Sequence, residues 1–201
     1  MIDAALLPYV KRAIDRPARM LVARGISADQ ITLVGFCIGL LGVPALWGGL
    51  FWVALLCLAL NRLADGLDGA VARLTRPTDR GAFLDIALDF MFYGLFPLGF
   101  ALHDPAMNAL PAAVLICSFI GTGSSFLAFS IIAEKRRLAS REYPTKGIYY
   151  LGGLTEGTET IALFVAMCLV PAVFPWLAYG YAGLCAITTL TRWWAGWRVF
   201  D

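Results

Sequence analysis

Charge is scarce in this chain of 201 residues: Asp, Glu, Lys and Arg make up 15% of it, against roughly a quarter in an average soluble domain. With 60% hydrophobic residues and a mean hydropathy of +0.74, the shortage excludes an ordinary soluble globule. Histidine is scarcer still. His103 stands alone, which excludes a His-rich metal site. The five cysteines, Cys37, Cys57, Cys117, Cys168 and Cys185, fall inside apolar runs without paired spacing. They read as small buried hydrophobes rather than as disulfides or a zinc site. There is no basic head followed by a short apolar core, so no secretory signal peptide is expected. Nor is there an internal repeat, a low-complexity tract or a Gly/Ser linker. A single domain over 1–201 is the economical reading.

Apolar runs of about 20 residues recur instead, each long enough to cross a bilayer core of ~30 Å. The expected fold is an all-α integral membrane protein: an amphipathic interfacial helix, then six transmembrane helices. The interfacial segment is 1–28. Ile2, Leu6, Tyr9, Val10, Ile14 and Leu21 recur there at helical spacing, while Lys11, Arg12, Asp15, Arg16 and Arg19 occupy much of the remainder. The bundle occupies 30–197, with spans near 30–50, 51–75, 80–102, 109–133, 154–172 and 174–197. The turns "WGGLF", "HDP" and "VPAVFP" agree with these breaks. With the N-terminus in the cytoplasm, all sixteen Lys and Arg fall in cytoplasmic segments or the inner half of an adjoining helix. None falls at the outer turns near 47–52, 102–110 or 171–176, as the positive-inside rule requires.

Against this background, "NRLADGLDGAVARLTRPTDRGAFLDIALDF" concentrates five aspartates and four arginines in residues 61–90. Asp65 and Asp68 are three apart and Asp85 and Asp89 four apart, so each pair shares one helical face. Asn61, Asp65, Asp68, Gly69 and Ala72 fall in a stripe roughly 100° wide, with Arg73 at its edge. Gly81, Asp85 and Asp89 form a second stripe. The short link "LTRPTDR" makes the two helices antiparallel neighbours whose stripes can meet. Four carboxylates in a partly dry site cannot all stay ionised unaided. Two divalent cations would cancel them, and an all-oxygen donor set favours Mg²⁺ or Mn²⁺ over zinc. Paired metals of this kind clamp the attacking and leaving oxygens of phosphoryl-type transfer. Gly69, Ala72 and Gly81 leave a floor without bulk, and Arg73 can pair with phosphate oxygens. The bland alternative is that these carboxylates pair with Arg62, Arg73, Arg76 and Arg80 at a membrane edge; intramembrane carboxylates are more often functional.

"DGLDGAVAR…GAFLDIALD" resembles the signature of the CDP-alcohol phosphatidyltransferase family, D-x2-D-G-x2-A-R followed by G-x3-D-x3-D. Asp65, Asp68, Gly69, Ala72, Arg73, Gly81, Asp85 and Asp89 fill every fixed position. Seven residues separate Arg73 from Gly81 where eight are usual, and the difference falls in the connecting loop. "GISADQITLVGF" is similar to the family's lead-in to its first span, with Ala28-Asp29 in place of Pro-Asn and Thr32 retained. "YYLGGLTEGTETI" looks like a bacterial inner-membrane subgroup. The resemblance implies phospholipid synthesis: transfer of a phosphatidyl group from CDP-diacylglycerol to the hydroxyl of a small polar alcohol, with release of CMP. It implies that Asp65, Asp68, Asp85 and Asp89 ligate the metals and that Asp89 is also the general base. It assigns Gly69, Ala72, Arg73 and Gly81 to the CDP part of the donor. It further implies a multi-pass protein of the bacterial inner membrane, a cytoplasmic active site and a homodimer. Gly35, Gly39 and the "GTGSS" at 121–125 offer small packing surfaces, either to a second subunit or within one.

The acceptor is left open. Lys135, Arg136, Arg137, Arg141 and Lys146 would suit a phosphorylated alcohol, or are a plain cytoplasmic loop. Glu156 and Glu159 would touch a hydroxyl-rich or amine-bearing acceptor, or merely favour a helix N-terminus. His103 and Asp104 read as an outer turn. Two rival functions are a CDP-choline or CDP-ethanolamine phosphotransferase and, in a different class, a divalent-cation transporter. The transporter should show ionisable groups along its outer half, and none is seen.

Overall fold

The computed structural model describes residues 14–138 and 153–201, which are helical apart from short turns and links. The expected contributions of residues 1–13 to the interfacial helix, and of Arg141 and Lys146, lie outside the described residues. The first helical stretch, α1, covers 14–23. It is followed by α2 (Ala28–Trp47), α3 (Phe51–Leu74), α4 (Asp79–His103), α5 (Pro105–Lys135), α6 (Gly157–Leu169) and α7 (Phe174–Phe200), with a 3-10 turn at Pro171–Val173.

Local chemistry sets these boundaries. A capping box opens α2: the Gln30 amide donates to the Ser27 hydroxyl at 3.3 Å, and the Ser27 amide to the Gln30 side chain at 2.9 Å. Gly49, at φ +74°, makes the tight turn between α2 and α3. Thr78 caps α4 by accepting from the Gly81 amide at 3.0 Å. Asp104 caps α5 by accepting from the Met107 amide at 3.1 Å, with Pro105 at the first helical position. His103 turns back to the Trp47 carbonyl at 3.2 Å and sets its ring edge-on to Phe51.

Among the described residues, four helical stretches, 28–47, 79–103, 105–135 and 171–200, are long and apolar enough to cross a membrane. The other two expected spans differ from these. With 24 residues, α3 is long enough (~36 Å), but Arg62, Asp65, Asp68 and Arg73 fill its second half. With 13 residues, α6 is only ~20 Å long, shorter than the expected 154–172. Its N-terminus is delayed by a turn in which the Gly153 amide donates to the Glu156 carboxylate at 3.1 Å. Its C-terminus is cut short by the Pro171 turn.

An aromatic ladder on α4 builds the core. Phe92, Phe96 and Phe100 recur every fourth residue, and all are 0% exposed. Phe96 stacks on Phe164 of α6 at 4.7 Å, and Phe100 on Phe174 of α7 at 4.6 Å. On the other flank α2 packs closely against α3 and α4. A Cβ on Gly39 would lie 3.0 Å from Asn61 and from the Phe92 ring, and one on Gly123 would run into the Phe90 ring. Gly35, Gly39 and Gly123 thus serve packing within one subunit. Ile14 and Ala18 of α1 bury against Ala70 and Val71 of α3, which ties α1 to the charged end of that helix. Trp47, Trp52 and Trp176 are exposed at one end of the bundle and Trp193, Trp194 and Trp197 at the other, the distribution of interfacial aromatic belts.

Candidate active site

Antiparallel α3 and α4 bring three of the four aspartates together. One carboxylate oxygen from each of Asp65, Asp68 and Asp85 lies within 4.8 Å of the others. The three aspartates thus converge across a seven-residue spacer that includes the non-helical link at 75–78. Asp68 is the most deeply placed, at 6% exposure, while Asp85 opens to the surface.

Thr32 of α2 points its hydroxyl at Asp68, with 2.5 Å between the oxygens. The same hydroxyl is 3.1 Å from the Ala28 carbonyl, but it carries one proton, and the shorter contact to a carboxylate is where that proton is best used. Asp89, one turn beyond Asp85, stands outside the trio. It accepts from Arg62 at 2.7 Å, and Arg62 also lies 3.7 Å from Asp65. Asn61 fixes Arg62 in turn. Its amide oxygen accepts from Arg62 at 2.7 and 2.9 Å, while its amide nitrogen donates to the Gly35 carbonyl at 3.0 Å. The guanidinium also sits over the Phe92 ring at 5.4 Å. The ion-pair alternative thus holds for Arg62 with Asp89 and Asp65, whereas Arg80 pairs with Asp29 at 2.6 Å, and Arg73 and Arg76 are exposed.

The signature's small residues lie along α3 and in the first turn of α4. Arg73 folds back along α3, so that a Cβ on Gly69 would lie 3.2 Å from its guanidinium. Ala72 is half-buried on the same helix. Gly81 faces Asp29, whose carboxylate would lie 3.1 Å from an added Cβ. A small cavity of about 20 Å³ is bounded by the four aspartates with Thr32, Asn61 and Arg62. Three carboxylates converging without a His or Cys form a hard-oxygen donor set suited to a divalent cation.

Sequence spacing does not assign roles to Thr32 and Arg62. Arg62 is three residues before Asp65, so helical periodicity could have found it. Thr32 is 36 residues from Asp68 and carries no local signal. Of the basic residues considered for an acceptor, Arg136 donates to the Val199 carbonyl at 3.3 Å and to that of Phe200, at the far end of α5. Glu156 precedes α6, and Glu159 lies in its first turn.

Comparison with known proteins agrees with this geometry. The chain is 52% identical to the inner membrane protein YnjF of Escherichia coli, over 98% of this chain and 96% of that one. It is 34% identical to the archaetidylinositol phosphate synthase of Pyrococcus horikoshii, over 79% of this chain and 78% of that one. In fold it is similar to the crystal structure of Mycobacterium tuberculosis phosphatidylinositol phosphate synthase with CDP-DAG bound. That match has a TM-score of 0.74, 21% identity, and covers 92% of this chain and 94% of that one. The sequence profile of the CDP-alcohol phosphatidyltransferases matches residues 25–197, nearly the whole chain and all of the converging aspartates, and the protein belongs to that family of transferases.

Proposed function

We propose that this protein makes a phospholipid at the cytoplasmic face of a bacterial inner membrane. It would move the phosphatidyl group of CDP-diacylglycerol to the hydroxyl of a small alcohol and release CMP. The observation that carries this reading is the meeting of Asp65, Asp68 and Asp85 within 4.8 Å, with Asp89 one turn away. Asp65, Asp68 and Asp85 would hold Mg²⁺ or Mn²⁺, with Asp89 completing the set. Bound there, the dications supply Lewis-acid neutralisation of the diphosphate charge.

The chain's own residues do the rest. Gly69, Ala72 and Gly81 let the donor approach the backbone, and Arg73 pairs with its phosphate oxygens. Asp89, held in place by Arg62, takes the acceptor's proton on a carboxylate oxygen. The freed oxygen bonds to the phosphorus bearing diacylglycerol, and the bond from that phosphorus to the CMP oxygen breaks. The six-span layout, with α3 and α6 counted as spans, is supported by the tryptophan belts and by the one-sided placement of Lys and Arg. An amphipathic α1 in the headgroup layer would carry Arg16 and Arg19 toward anionic lipid, and a homodimer is the expected assembly. Asp85→Asn should abolish CMP release from CDP-diacylglycerol while the protein elutes from size exclusion and melts as the parent does. Retained turnover would remove Asp85 from the site.

A further inference from the structure

Asp89 already has a cation. Arg62 donates to its carboxylate at 2.7 Å and stands 3.7 Å from Asp65, so the guanidinium bridges the gap between Asp89 and the carboxylate trio. The Arg62 side chain is 18% exposed and that of Asp89 30%, so water does little to loosen the pair. Other groups fix the guanidinium as well. The Asn61 amide oxygen accepts from its Nε at 2.9 Å and from Nη2 at 2.7 Å, and Asn61 is itself tied to the Gly35 carbonyl of α2 at 3.0 Å. The centres of the Phe92 and Tyr93 rings lie 5.4 and 5.8 Å from its central carbon. Neither Asn61 nor Arg62 is among the fixed positions of the signature. A cation held this firmly belongs to the charge balance of the site and is not a solvated surface pair.

Resting on the metal site proposed above, we infer that Arg62 is a built-in counter-ion of Asp89 that competes with a second dication, so that the four aspartates load in two unequal steps. The trio of Asp65, Asp68 and Asp85 takes the first dication, and Asp89 joins in holding a second only by giving up the guanidinium. Charge is the first reason. With the four carboxylates ionised, one dication on the trio leaves a single negative charge there, while Asp89 and Arg62 cancel. A second dication would turn the whole set positive by one, in a partly buried site where surplus charge is poorly screened. In the absence of Arg62, the same two dications would balance the carboxylates. Geometry is the second reason. Asp89 must break a short, charge-assisted bond to bind metal strongly, and loss of such a bond weakens binding by roughly 10- to 100-fold. The guanidinium cannot follow the carboxylate cheaply, because Asn61 and the two rings hold it where it is.

The test is Mn²⁺ binding to the full-length protein in detergent, without substrate, with free Mn²⁺ read from its electron paramagnetic resonance signal. The parent should bind one Mn²⁺ per chain, with any second ion at least about tenfold weaker. Asp89→Asn should keep the first step and lose the second. Arg62→Gln, which keeps a polar side chain and drops the charge, should tighten the second step by roughly tenfold or more. The direction separates this role from a merely structural one, because a site that had lost a brace would bind Mn²⁺ more weakly. Two equal steps in the parent, loss of the first step in Asp89→Asn, or a second step that Arg62→Gln leaves unchanged or weakens overturns the inference with the metal site still standing. Should Arg62→Gln not fold, the parent and Asp89→Asn isotherms decide the matter alone. Absence of Mn²⁺ binding by the parent, or a first step that survives Asp85→Asn, refutes the metal site itself.

Discussion

Replacing Thr32 with valine removes one hydroxyl and keeps the branched shape of the side chain, so it isolates the bond between α2 and Asp68. That bond spans 2.5 Å to a carboxylate that is 6% exposed, where water is a poor substitute. A hydrogen bond to a charged group contributes about 1.5–3 kcal/mol. At 1.4 kcal/mol per factor of ten, Asp68 should then hold a divalent ion roughly 10- to 100-fold less tightly. The same range is typical when the outer partner of a metal ligand is removed. The assay is CMP release titrated with Mn²⁺. Thr32→Val should shift the half-activating concentration upward by that factor and approach the parent rate at saturating metal, while Thr32→Ser keeps the parent curve. An unchanged titration, or a loss that no metal concentration restores in a protein that still folds, would refute the assignment of Thr32 as the residue that orients Asp68.

Thermal or denaturant unfolding in detergent checks three further expectations. Phe96→Ala removes a ring that is 0% exposed and stacked at 4.7 Å on Phe164, and should cost about 3–5 kcal/mol. Gly39→Ala pushes a methyl to 3.0 Å from Asn61 and Phe92 and should cost about 1–3 kcal/mol, whereas Gly94→Ala meets nothing within 4 Å and should be neutral or up to about 1 kcal/mol more stable. Asp29→Asn breaks the bridge to Arg80, whose side chain is 77% exposed, and should cost less than about 1 kcal/mol with activity kept.

How much of this was legible beforehand depended on whether the signal was local. The aspartate pairs were readable because three- and four-residue spacing on a helix places side chains on one face whatever the tertiary context. Turns at Gly48-Gly49, Asp104-Pro105 and Pro171 were readable because backbone preference marks them. The extent of α6 was not. The apolar run begins only at Ile161, so hydropathy does not mark where the helix starts, and the helix is set at Gly157–Leu169 by the Glu156 turn and the Pro171 break. The roles of Gly35 and Gly39 were equally undecidable, since a small-residue stripe reads alike whether it meets another helix of its own chain or a second subunit. Contacts to Ala64, Asn61 and Phe92 show that it meets its own.

By itself the sequence determined the solvent this protein is built for and the chemistry it concentrates, because hydropathy and the spacing of carboxylates need no knowledge of what packs where. Tertiary structure decided which carboxylates meet and what attends them. Asp65, Asp68 and Asp85 form the cluster, while Asp89 is drawn aside by Arg62, and Thr32 reaches Asp68 from another helix. The physical reason is that a cluster of like charges is defined by distances of a few ångströms between helices, and close glycine-mediated packing of α2 on α3 and α4 sets those distances.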